Sequence, residues 1–485
     1  MIHCERMSIG MRLYQLLERV DVLSVCRDCE ITSIVSDSRK ICPGDLFVAI
    51  SGIHFDGHNA CGEVLEKGAA AVIVERDLGL PHQVIVSDSR TALNKLIAAY
   101  YEYPSEEYKL IGVTGTSGKT STTFMVKAML DRLGKKTGLI GTVKCMAGSR
   151  EFPADQTTPE PEELQRLFKL MAVEGCEYVV MEVSSQGIAQ GRIDGCRFEA
   201  AAFTNFSQDH LDYHGSMQAY LNAKKPLFAL AKSAVSNADD PKGAEGVELF
   251  TGKPLFISVR GKGVLNASNI ECDIKGTRFD LEYNGEKRHI SVPILGNFTV
   301  YNAMTAAALL MQCGFGFDEV CRAFSSVTTV PGRLELIPTC RDFTILLDYA
   351  HKPDALEKVL KTVRSFSTGR VVVLFGCGGD RDKLKRPLMG KIAEELADFV
   401  YVTSDNPRHE APDAIIGEIL EGMKQPKKRR VISDRREAIK TAILEHQPGD
   451  VVILAGKGHE AYQKIGDSVL HFDEREITAQ FLSLL

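Results

Sequence analysis

The chain has 485 residues, of which 44% are apolar and 25% are charged, and its formal net charge is -6. This length exceeds one ordinary core and predicts about three domains, while the negative charge gives no reason to expect nucleic acid or an anionic membrane as a general partner. The sequence contains no run of about 18 apolar residues and no signal-peptide core, so we expect no membrane span. Its thirteen cysteines are typical of reduced thiols in a cytoplasmic protein.

Residues 1–107 are predicted to form a small α/β domain. Its helical pattern begins at Met11, so the first ten residues are interpreted as an extension without functional weight. A turn and a buried strand are predicted over residues 43–50, and another strand over 68–74. Ser38 either binds phosphate or belongs to a turn capped by the Asp37-Ser38 pair, and both interpretations stay open at this point.

The central domain, residues 108–336, begins with a predicted phosphate loop. An apolar strand over residues 109–114 leads into Gly115-Thr-Ser-Gly-Lys-Thr-Ser121 and then into a helical pattern. N–H groups at a helix N-terminus bind anions, Lys119 can neutralise phosphate charge, and Thr120 can ligate Mg²⁺. Val113 stands where the strict motif has glycine. A glycine-rich helix cap without a ligand is the alternative.

The next strands of this domain end in polar residues. A strand over residues 178–182 places Glu182 at its C-terminal end, on the edge where the phosphate loop lies, as expected for a Mg²⁺ ligand. A helix cap or a salt bridge is the alternative for this carboxylate. A helix is predicted to start at residues 157–160, with Pro159 near its first position.

Potential metal ligands also follow the strand predicted over residues 199–204. They are Asp209, His210 and Asp212. Helical spacing then extends over residues 217–230, where the pair Lys224-Lys225 is typical of a solvated face. A further helix is predicted over residues 303–311.

The third domain, residues 337–485, repeats the β/α alternation. Four predicted strands end in polar clusters, which lie at residues 348–351, 376–382, 405–408 and 456–460. Because the carboxyl ends of parallel strands share one edge, these clusters predict a binding cleft. No G-x-G-x-x-G with a downstream acid occurs, so we expect a substrate-holding domain without a dinucleotide.

At residues 11–485 the chain resembles the Mur ligase family. The resemblance rests on motifs in order: Asp37-Ser-Arg39, Gly44-Asp-Leu-Phe47, Gly115-Thr-Ser-Gly-Lys-Thr120, Thr157-Thr-Pro159, Met181-Glu-Val-Ser-Ser185, Asp209-His-Leu-Asp-Tyr-His214, Asp348-Tyr-Ala-His351, Asp405-Asn-Pro-Arg408 and Gly456-Lys-Gly-His-Glu460. It implies an α/β protein with three domains: a small N-terminal domain, a central P-loop ATPase-like parallel-sheet domain and a C-terminal Rossmann-like domain.

The resemblance implies an ATP-dependent amide-bond-forming ligase of peptidoglycan synthesis. ATP would phosphorylate the D-glutamate carboxylate of a UDP-muramyl dipeptide, and an amine of the incoming amino acid would attack the acyl phosphate. The ATP contacts implied are Gly115, Thr116, Ser117, Gly118, Lys119, Thr120, Ser121, Asn302, Arg333, Asp348 and His351.

The same resemblance implies metal and catalytic residues. Thr120 and Glu182 would hold one Mg²⁺, and His210 and Lys224 a second, with Lys224 carbamylated by CO₂. Lys119 joins Glu182, His210 and Lys224 as the catalytic set. This reverses the solvated reading of Lys224, whereas Lys225 is still expected at the surface.

Two substrate sites are implied residue by residue. The UDP-dipeptide site comprises Ser38, Thr157, Thr158, Ser184, Gln190 and Arg192. The amino-acid site comprises Arg386, Asp405, Asn406, Pro407, Arg408, Gly456 and Glu460. The guanidinium fork of Arg408 suits the second carboxylate of meso-diaminopimelate, which lysine lacks, and Glu460 would face the distal ammonium. Gln186 and Thr299 depart from residues common in the family.

Other functions remain as alternatives. They are a lysine-adding or dipeptide-adding relative, a folylpolyglutamate synthetase, and a nucleotide-binding switch that uses the phosphate loop for regulation. The preferred reading predicts a cytoplasmic monomer that acts on small molecules and binds neither nucleic acid nor membrane.

Overall fold

The computed structural model describes residues 10–52 and 55–485, which divide into two compact units. The first unit runs to Leu265 and includes Thr305–Val320, and the second comprises Asn266–Met304 and Cys321–Leu485. The predicted N-terminal extension falls, except for Gly10, outside the described residues. The domain boundaries at residues 107 and 336 stay predictions.

The first unit contains fifteen strands and ten α-helices among its described residues, with 3₁₀ turns between some of them. The strands are β1 (Met11–Arg12), β2 (Val22–Ser24), β3 (Glu30–Ile31), β4 (Ile34–Val35), β5 (Leu46–Val48), β6 (Ala71–Val74), β7 (Gln83–Val86), β8 (Lys109–Thr114), β9 (Thr137–Ile140), β10 (Cys145–Ala147), β11 (Arg150–Phe152), β12 (Tyr178–Glu182), β13 (Ala200–Phe203), β14 (Ala234–Asn237) and β15 (Leu255–Ser258). The helices are α1 (Leu13–Leu16), α2 (Cys61–Glu66), α3 (Ser89–Tyr100), α4 (Lys119–Arg132), α5 (Pro161–Val173), α6 (Ser185–Ala189), α7 (Leu211–His214), α8 (Met217–Asn222), α9 (Pro226–Ala229) and α10 (Gly243–Gly246).

Two sheets organise this unit. The N-terminal sheet has five strands in the order β2-β7-β6-β5-β4, and all its pairs are parallel except β2 with β7. In the second sheet the order β9-β12-β8-β13-β14-β15 is parallel throughout, and β10 and β11 add an antiparallel edge. Strands β8, β9, β12 and β13 are almost fully buried, as continuous apolar runs in a parallel sheet require.

The second unit carries the remaining strands and most of the remaining helices. The strands are β16 (Leu265–Asp273), which begins in the first unit, β17 (Gly276–Tyr283), β18 (Glu286–Val292), β19 (Glu335–Ile337), β20 (Thr344–Asp348), β21 (Val371–Phe375), β22 (Phe399–Val402), β23 (Arg429–Val431), β24 (Val451–Ala455), β25 (Tyr462–Ile465) and β26 (Ser468–His471). The helices are α11 (Phe298–Gln312) and α12 (Phe317–Ala323), which cross the division, and α13 (Pro353–Phe366), α14 (Lys385–Leu396), α15 (Pro412–Leu420), α16 (Arg435–Leu444) and α17 (Glu474–Leu482).

A six-stranded sheet in the order β19-β20-β24-β21-β22-β23 forms the core of the second unit. Its strands are parallel apart from β19, and strands β20, β21, β22 and β24 end at the same edge. Apolar clusters cover both faces of this sheet, one of them containing Val371, Val373 and Phe375 and the other Val372 and Leu374. The predicted α/β class with several parallel sheets is therefore confirmed.

Prolines changed two predicted helices. The helix expected at residues 157–160 begins instead at Pro161, because a residue before proline is disfavoured in helical conformation and Glu160 is extended. The helix expected over residues 217–230 is interrupted, since Pro226 has no N–H to continue it and starts α9.

A third helix begins earlier than expected. Helix α11 starts at Phe298 rather than at residue 303, and its buried Thr299 donates a hydroxyl hydrogen bond of 2.9 Å to the Leu295 carbonyl. Burial of β-branched residues here outweighs their weak helix propensity.

Two further expectations concern thiols and membranes. Over the described ranges, every cysteine is a free thiol. In the same ranges, no helix combines the length and the apolar character that a membrane crossing requires.

Candidate active site

The phosphate loop forms as the sequence predicts, between β8 and the N-terminus of α4. Gly118 occupies the N-cap position with φ +86°, and Gly115 has φ +138°. A Cβ on Gly115 would lie 2.0 Å from Thr204 Oγ1, so this close approach requires glycine.

The segment after β13 fixes the shape of the loop. The Thr116 N–H donates to the Asn205 carbonyl at 3.0 Å, and the Ser117 N–H donates to Asn205 Oδ1 at 3.1 Å. The Thr204 hydroxyl donates to the Ser117 carbonyl at 2.7 Å. The Lys119 ammonium lies over the loop, 2.9 Å from the Gly115 carbonyl oxygen and 3.1 Å from that of Thr116.

Glu182 ends β12 beside the loop, as predicted. It is 1% exposed, and its Oε2 accepts the Thr120 hydroxyl at 2.9 Å. Oε1 accepts the Thr142 N–H at 2.8 Å. The helix that follows is capped by Ser184, whose side chain accepts the Gly187 N–H. The alternative that Glu182 serves as a helix cap is therefore wrong.

Lys224 lies on the other side of the loop, in the break between α8 and α9. It is 1% exposed, and its Nζ is 3.2 Å from the Gly115 carbonyl oxygen and 4.4 Å from the centre of the Tyr220 ring. The Tyr220 hydroxyl is 3.2 Å from Thr116 Oγ1, and its ring also faces His210 at 6.0 Å. The solvated-face reading of this lysine is wrong.

Lys225 contradicts its predicted place at the surface. Only 6% of the residue is exposed, and its ammonium pairs with Glu248 at 2.6 Å and Glu245 at 3.5 Å. The two adjacent lysines thus have distinct surroundings: Lys224 faces the phosphate loop, and Lys225 forms ion pairs.

Whether Mg²⁺ fits this region can be judged from the donors present. Thr120 and Glu182 supply a hydroxyl and a carboxylate oxygen within hydrogen-bond distance of each other. Mg²⁺ is commonly bound through one or two carboxylates plus phosphate oxygens and water, so this pair fits it. Across residues 10–52 and 55–485, no group of three or more His, Cys, Asp or Glu forms a protein-only cage.

Five residues predicted for the UDP-dipeptide form one connected patch beside Glu182. They are Thr157, Thr158, Ser184, Gln190 and Arg192. The Thr158 hydroxyl donates to the Glu182 carbonyl at 3.0 Å and accepts the Ser184 N–H at 2.9 Å. Arg192 donates to the Thr158 carbonyl at 2.6 Å and to Gln190 Oε1, and Thr157 Oγ1 lies 3.0 Å from Thr142 Oγ1.

Ser38 lies on the 3₁₀ turn Ser38–Lys40. The Asp37 side chain caps that turn by accepting the Arg39 N–H at 3.1 Å. The turn-capping interpretation of this motif is thereby confirmed for Asp37, and phosphate binding by Ser38 stays a prediction.

In the second unit, predicted nucleotide residues gather around Tyr349. The Arg333 guanidinium lies 5.1 Å from the centre of the Tyr349 ring, and the His351 ring lies 4.6 Å from it. Burial lowers the pKa of His351 to about 4, and burial also raises the pKa of Asp348. Asp348 accepts the N–H groups of Leu334 and Ala350, each at 2.8 Å. Asn302 is buried within α11.

Arg408 follows β22, as predicted, and faces the glycine turn after β21. Its Nη1 donates to the Gly379 carbonyl at 2.7 Å. A Cβ on Gly378 would lie 2.9 Å from the same Nη1, so a larger residue there would displace the Arg408 guanidinium. A guanidinium has five N–H groups, so this single bond leaves donors for a carboxylate.

The other predicted acceptor residues converge on a buried cluster. Asn406 is 5% exposed and donates through Nδ2 to Glu460 Oε2 at 2.9 Å. Gly456 has φ +113°, and a Cβ there would lie 2.7 Å from Asp405 Oδ2. Burial and the neighbouring Asp405 carboxylate both raise the pKa of Glu460. Pro407 follows in the same rigid turn and is buried.

Arg386 has a different position from the one predicted for a substrate contact. It is 0% exposed and forms ion pairs with Glu410 at 2.9 Å and Glu418 at 2.8 Å, and it also donates to the Gly378 carbonyl. Its two terminal nitrogens donate inside the protein, because α14 brings the guanidinium beneath the glycine turn. We therefore assign Arg386 to support of that turn.

Comparison with known proteins identifies the family. Three family models match in chain order: the Mur ligase family catalytic domain at residues 30–102, the Mur ligase middle domain at 113–310, and the Mur ligase glutamate ligase domain at 332–458. A relative from Caldanaerobacter subterraneus subsp. tengcongensis is 45% identical over 479 residues, which is 98% of this chain and 99% of the relative.

The chain belongs to the Mur ligase family. The Caldanaerobacter relative is named UDP-N-acetylmuramoyl-L-alanyl-D-glutamate--2,6-diaminopimelate ligase. A relative of the same name from Geobacillus kaustophilus is 44% identical over 459 residues and covers 92% of this chain and 94% of its own length.

Solved structures agree with this membership. One of a UDP-N-acetylmuramoyl-L-alanyl-D-glutamate--2,6-diaminopimelate ligase is 31% identical, covers 94% of this chain and 95% of its own, and has a TM-score of 0.70. A MurF ligase from Thermotoga maritima in complex with ADP is 21% identical, covers 93% of this chain and 97% of its own, and has a TM-score of 0.60, so it supports the fold alone.

Sequence reasoning missed several residues of this Mur ligase site. Asn205 shapes the phosphate loop, Thr142 orients Glu182, and Tyr220 joins the loop to Lys224. Asn205 was detectable, because it directly follows the strand next to β8. Thr142 and Tyr220 carry no sequence signal, since their roles depend on contacts between remote segments.

Proposed function

We propose that this Mur ligase is an ATP-dependent enzyme that adds meso-2,6-diaminopimelate to UDP-N-acetylmuramoyl-L-alanyl-D-glutamate in peptidoglycan precursor synthesis. Full-length similarity to two ligases of that name, at 45% and 44% identity, carries this proposal. The phosphate loop beside Glu182 and the acceptor residues around Arg408 supply the chemistry that such a reaction needs.

Activation of the carboxylate is the first chemical task. A carboxylate is a poor electrophile, so ATP transfers its γ-phosphoryl group to the D-glutamate side chain and gives an acyl phosphate plus ADP. The ammonium of Lys119 and the N–H groups at the start of α4 stabilise the phosphate charge. Thr157, Thr158, Ser184, Gln190, Arg192 and Ser38 are the residues proposed to hold the UDP-dipeptide.

Metal binding is assigned to residues beside the loop. Thr120 and Glu182 would hold one Mg²⁺, and His210 and carbamylated Lys224 a second. When bound, Mg²⁺ neutralises phosphate charge and orients the transferred group. A carbamate gives Lys224 a carboxylate-like oxygen, the ligand type that Mg²⁺ prefers.

Selection of the amino acid is assigned to the acceptor residues of the second unit. The free amine of diaminopimelate attacks the acyl carbon, and phosphate leaves as the amide forms. Arg408 binds the distal carboxylate of the amino acid, and Glu460 faces the distal ammonium. Lysine has no distal carboxylate, so its binding would leave the Arg408 charge unpaired. The enzyme should therefore bind lysine more weakly than diaminopimelate. Asn302, Arg333, Asp348 and His351 are proposed for the nucleotide. We place the activity in the cytoplasm and expect a monomer.

Phosphate release tests this function. Release from ATP is measured with the UDP-dipeptide and either meso-diaminopimelate, L-lysine or no amino acid. Of the three reactions, we expect only the one that contains meso-diaminopimelate to release phosphate rapidly. Equal release in all three reactions would instead support a nucleotide switch, and a preference for lysine would support a lysine-adding ligase.

Lysine carbamylation is tested by chemical rescue. Lys224→Ala should abolish phosphate release, and added short-chain carboxylic acids should restore part of it, since their carboxylate replaces the carbamate. Lys225→Ala is the matched control: its ammonium pairs with Glu245 and Glu248, so carboxylic acids should not raise its activity. Equal failure of rescue in both variants would contradict carbamylation of Lys224.

A further inference from the structure

Lys457 is a fully buried lysine among the proposed acceptor residues, and the function above gives it no role. Its exposure is 0%. The ammonium donates to the Tyr462 carbonyl at 2.6 Å and to Asn406 Oδ1 at 3.0 Å. It also lies 3.7 Å from Asp405 Oδ1 and 3.9 Å from Glu460 Oε2.

A buried ammonium is unfavourable unless its donors are satisfied and its charge is balanced. Burial lowers the pKa of Lys457, whereas the Asp405 and Glu460 carboxylates raise it. Two hydrogen-bond acceptors and two carboxylates therefore surround a single charge. Three of these residues, Asp405, Asn406 and Glu460, belong to the site proposed to bind the amino acid.

The contacts of Asn406 show what this ammonium fixes. Its Oδ1 accepts from Lys457 Nζ and from the Lys464 N–H, each at 3.0 Å. With the oxygen held by these two donors, Nδ2 is directed to Glu460 Oε2 at 2.9 Å. Lys457 thus orients the Asn406 amide, and the Asn406 amide in turn orients the Glu460 carboxylate.

We propose that Lys457 is the positioning residue of the acceptor pocket, because its ammonium holds the Asn406 amide and the Glu460 carboxylate in the arrangement that receives the distal ammonium of the amino acid. This proposal rests on the proposed function, since it takes Glu460 as the group that faces the substrate. Lys457 itself does not touch the reacting atoms.

A consequence for pH follows from the charges around Glu460. Burial and Asp405 raise the pKa of Glu460, while Lys457, Asn406 and Tyr462 lower it. Arg435 and Glu474 are the other charged groups that act on Lys457. Removing the Lys457 charge raises the pKa of Glu460 further, so the carboxylate takes up a proton at a higher pH than in the wild type.

The test compares Lys457→Gln with Lys464→Gln in the full-length enzyme. Glutamine at 457 retains a donor for Asn406 but removes the charge. Lys464 provides the matched control. Its Nζ lies 5.2 Å from the centre of the Tyr462 ring, which Lys457 Nζ also faces at 5.7 Å, and only the Lys464 backbone contacts Asn406. The Michaelis constants for diaminopimelate, ATP and the UDP-dipeptide are measured from pH 6 to pH 9.

For Lys457→Gln we expect the Michaelis constant for diaminopimelate to rise about tenfold at neutral pH, the size of a lost contact to a charged group. Those for ATP and the UDP-dipeptide should stay as in the wild type. At acidic pH, protonation of Glu460 should raise the Michaelis constant for diaminopimelate. In Lys457→Gln this rise should begin at a higher pH than in the wild type. Lys464→Gln should match the wild type in all three substrates.

Other outcomes overturn the proposal. Lys457 would have only a structural role if the Michaelis constant for diaminopimelate rose at the same acidic pH in Lys457→Gln as in the wild type. The same would hold if the Michaelis constants for all three substrates rose equally, or if the Lys457→Gln protein did not fold. Failure of the proposed function is distinguishable, because the wild-type enzyme would then not consume diaminopimelate at all.

Discussion

Arg408 is the residue on which amino-acid selection depends, and its backbone is unusual. Its φ of +49° lies in the left-handed region, which is unfavourable for a side chain of this size. The neighbouring hairpin holds it there: the Arg408 N–H donates to the Lys464 carbonyl at 3.0 Å, and its carbonyl accepts the Gly466 N–H at 2.7 Å. Such a conformation at a proposed binding residue fixes the direction of its side chain.

Replacement of Arg408 by glutamine should reduce selection for diaminopimelate. The variant loses the charged fork and keeps a shorter, uncharged polar side chain. We expect the Michaelis constant for diaminopimelate to rise about 10- to 100-fold, as for a lost charge-assisted hydrogen bond. The Michaelis constant for lysine should fall, because the variant no longer leaves a charged group without its carboxylate. Steady-state phosphate release measures both constants.

Arg430→Gln serves as the control for that substitution. Arg430 is on β23 and pairs with Glu445, and half of its side chain is exposed. Its loss should leave both Michaelis constants unchanged. A normal diaminopimelate constant in Arg408→Gln would show that another group reads the second carboxylate.

The sequence indicated many site residues but not all of their surroundings. Glu182 and Arg408 were predictable, because Glu182 ends a recognisable apolar strand and Arg408 follows another. The burial of Lys225 was not, since Glu245 and Glu248 reach it from a remote segment. The ion pairs of Arg386 with Glu410 and Glu418 likewise depend on how α14 packs against α15 and the residues just before it.

At the scale of elements, the loop after α6 is hydrogen-bonded to helix α3 of the first unit. Asn94, on α3, donates to the carbonyls of Gly191 at 2.8 Å and Gln190 at 3.3 Å. Asp194 follows in this loop, and burial raises its pKa from 3.8 to about 6. The loop that carries Gln190 and Arg192 therefore also contains a buried carboxyl group whose pKa is raised.

This carboxyl group predicts a pH effect on stability. Between about pH 4 and pH 6 the folded chain retains a proton that the unfolded chain has lost, so the free energy of unfolding falls as the pH rises. Asp194→Asn removes the titrating carboxyl group, so the free energy of unfolding of the variant should not fall in this way. Relative to wild type, the variant should melt at a higher temperature at pH 7 and at about the same temperature at pH 4.

Thermal melts at the two pH values measure this effect. Asp155→Asn, in an exposed loop, is the control and should follow the wild type at both. An Asp194→Asn variant that is less stable than the wild type at pH 7 would show that the ionised carboxylate stabilises the loop.

Secondary structure could be predicted where the sequence pattern is continuous. Strands β8, β12, β20 and β24 match their apolar runs, because strands buried on both faces are apolar along most of their length. Helix starts were less accurate. Pro161 and Pro226 set two of them, and the start of α11 depends on tertiary burial that no local pattern shows.

At the scale of the whole molecule, the family models and the contacts divide the chain differently. The models match three consecutive stretches, in agreement with the three-domain architecture of the family. The contacts give two compact units, the first of which contains both the N-terminal sheet and the phosphate loop. Packing between remote segments creates this division, so composition and motifs could not predict it.

The central claim is that this ligase selects diaminopimelate over lysine, and a direct competition tests it. The enzyme is given ATP, the UDP-dipeptide and equal concentrations of meso-diaminopimelate and L-lysine, and the UDP-linked products are weighed by mass spectrometry. We predict a product that carries diaminopimelate, with the lysine product at most a small fraction. A dominant lysine product, or similar amounts of the two, would contradict the claim.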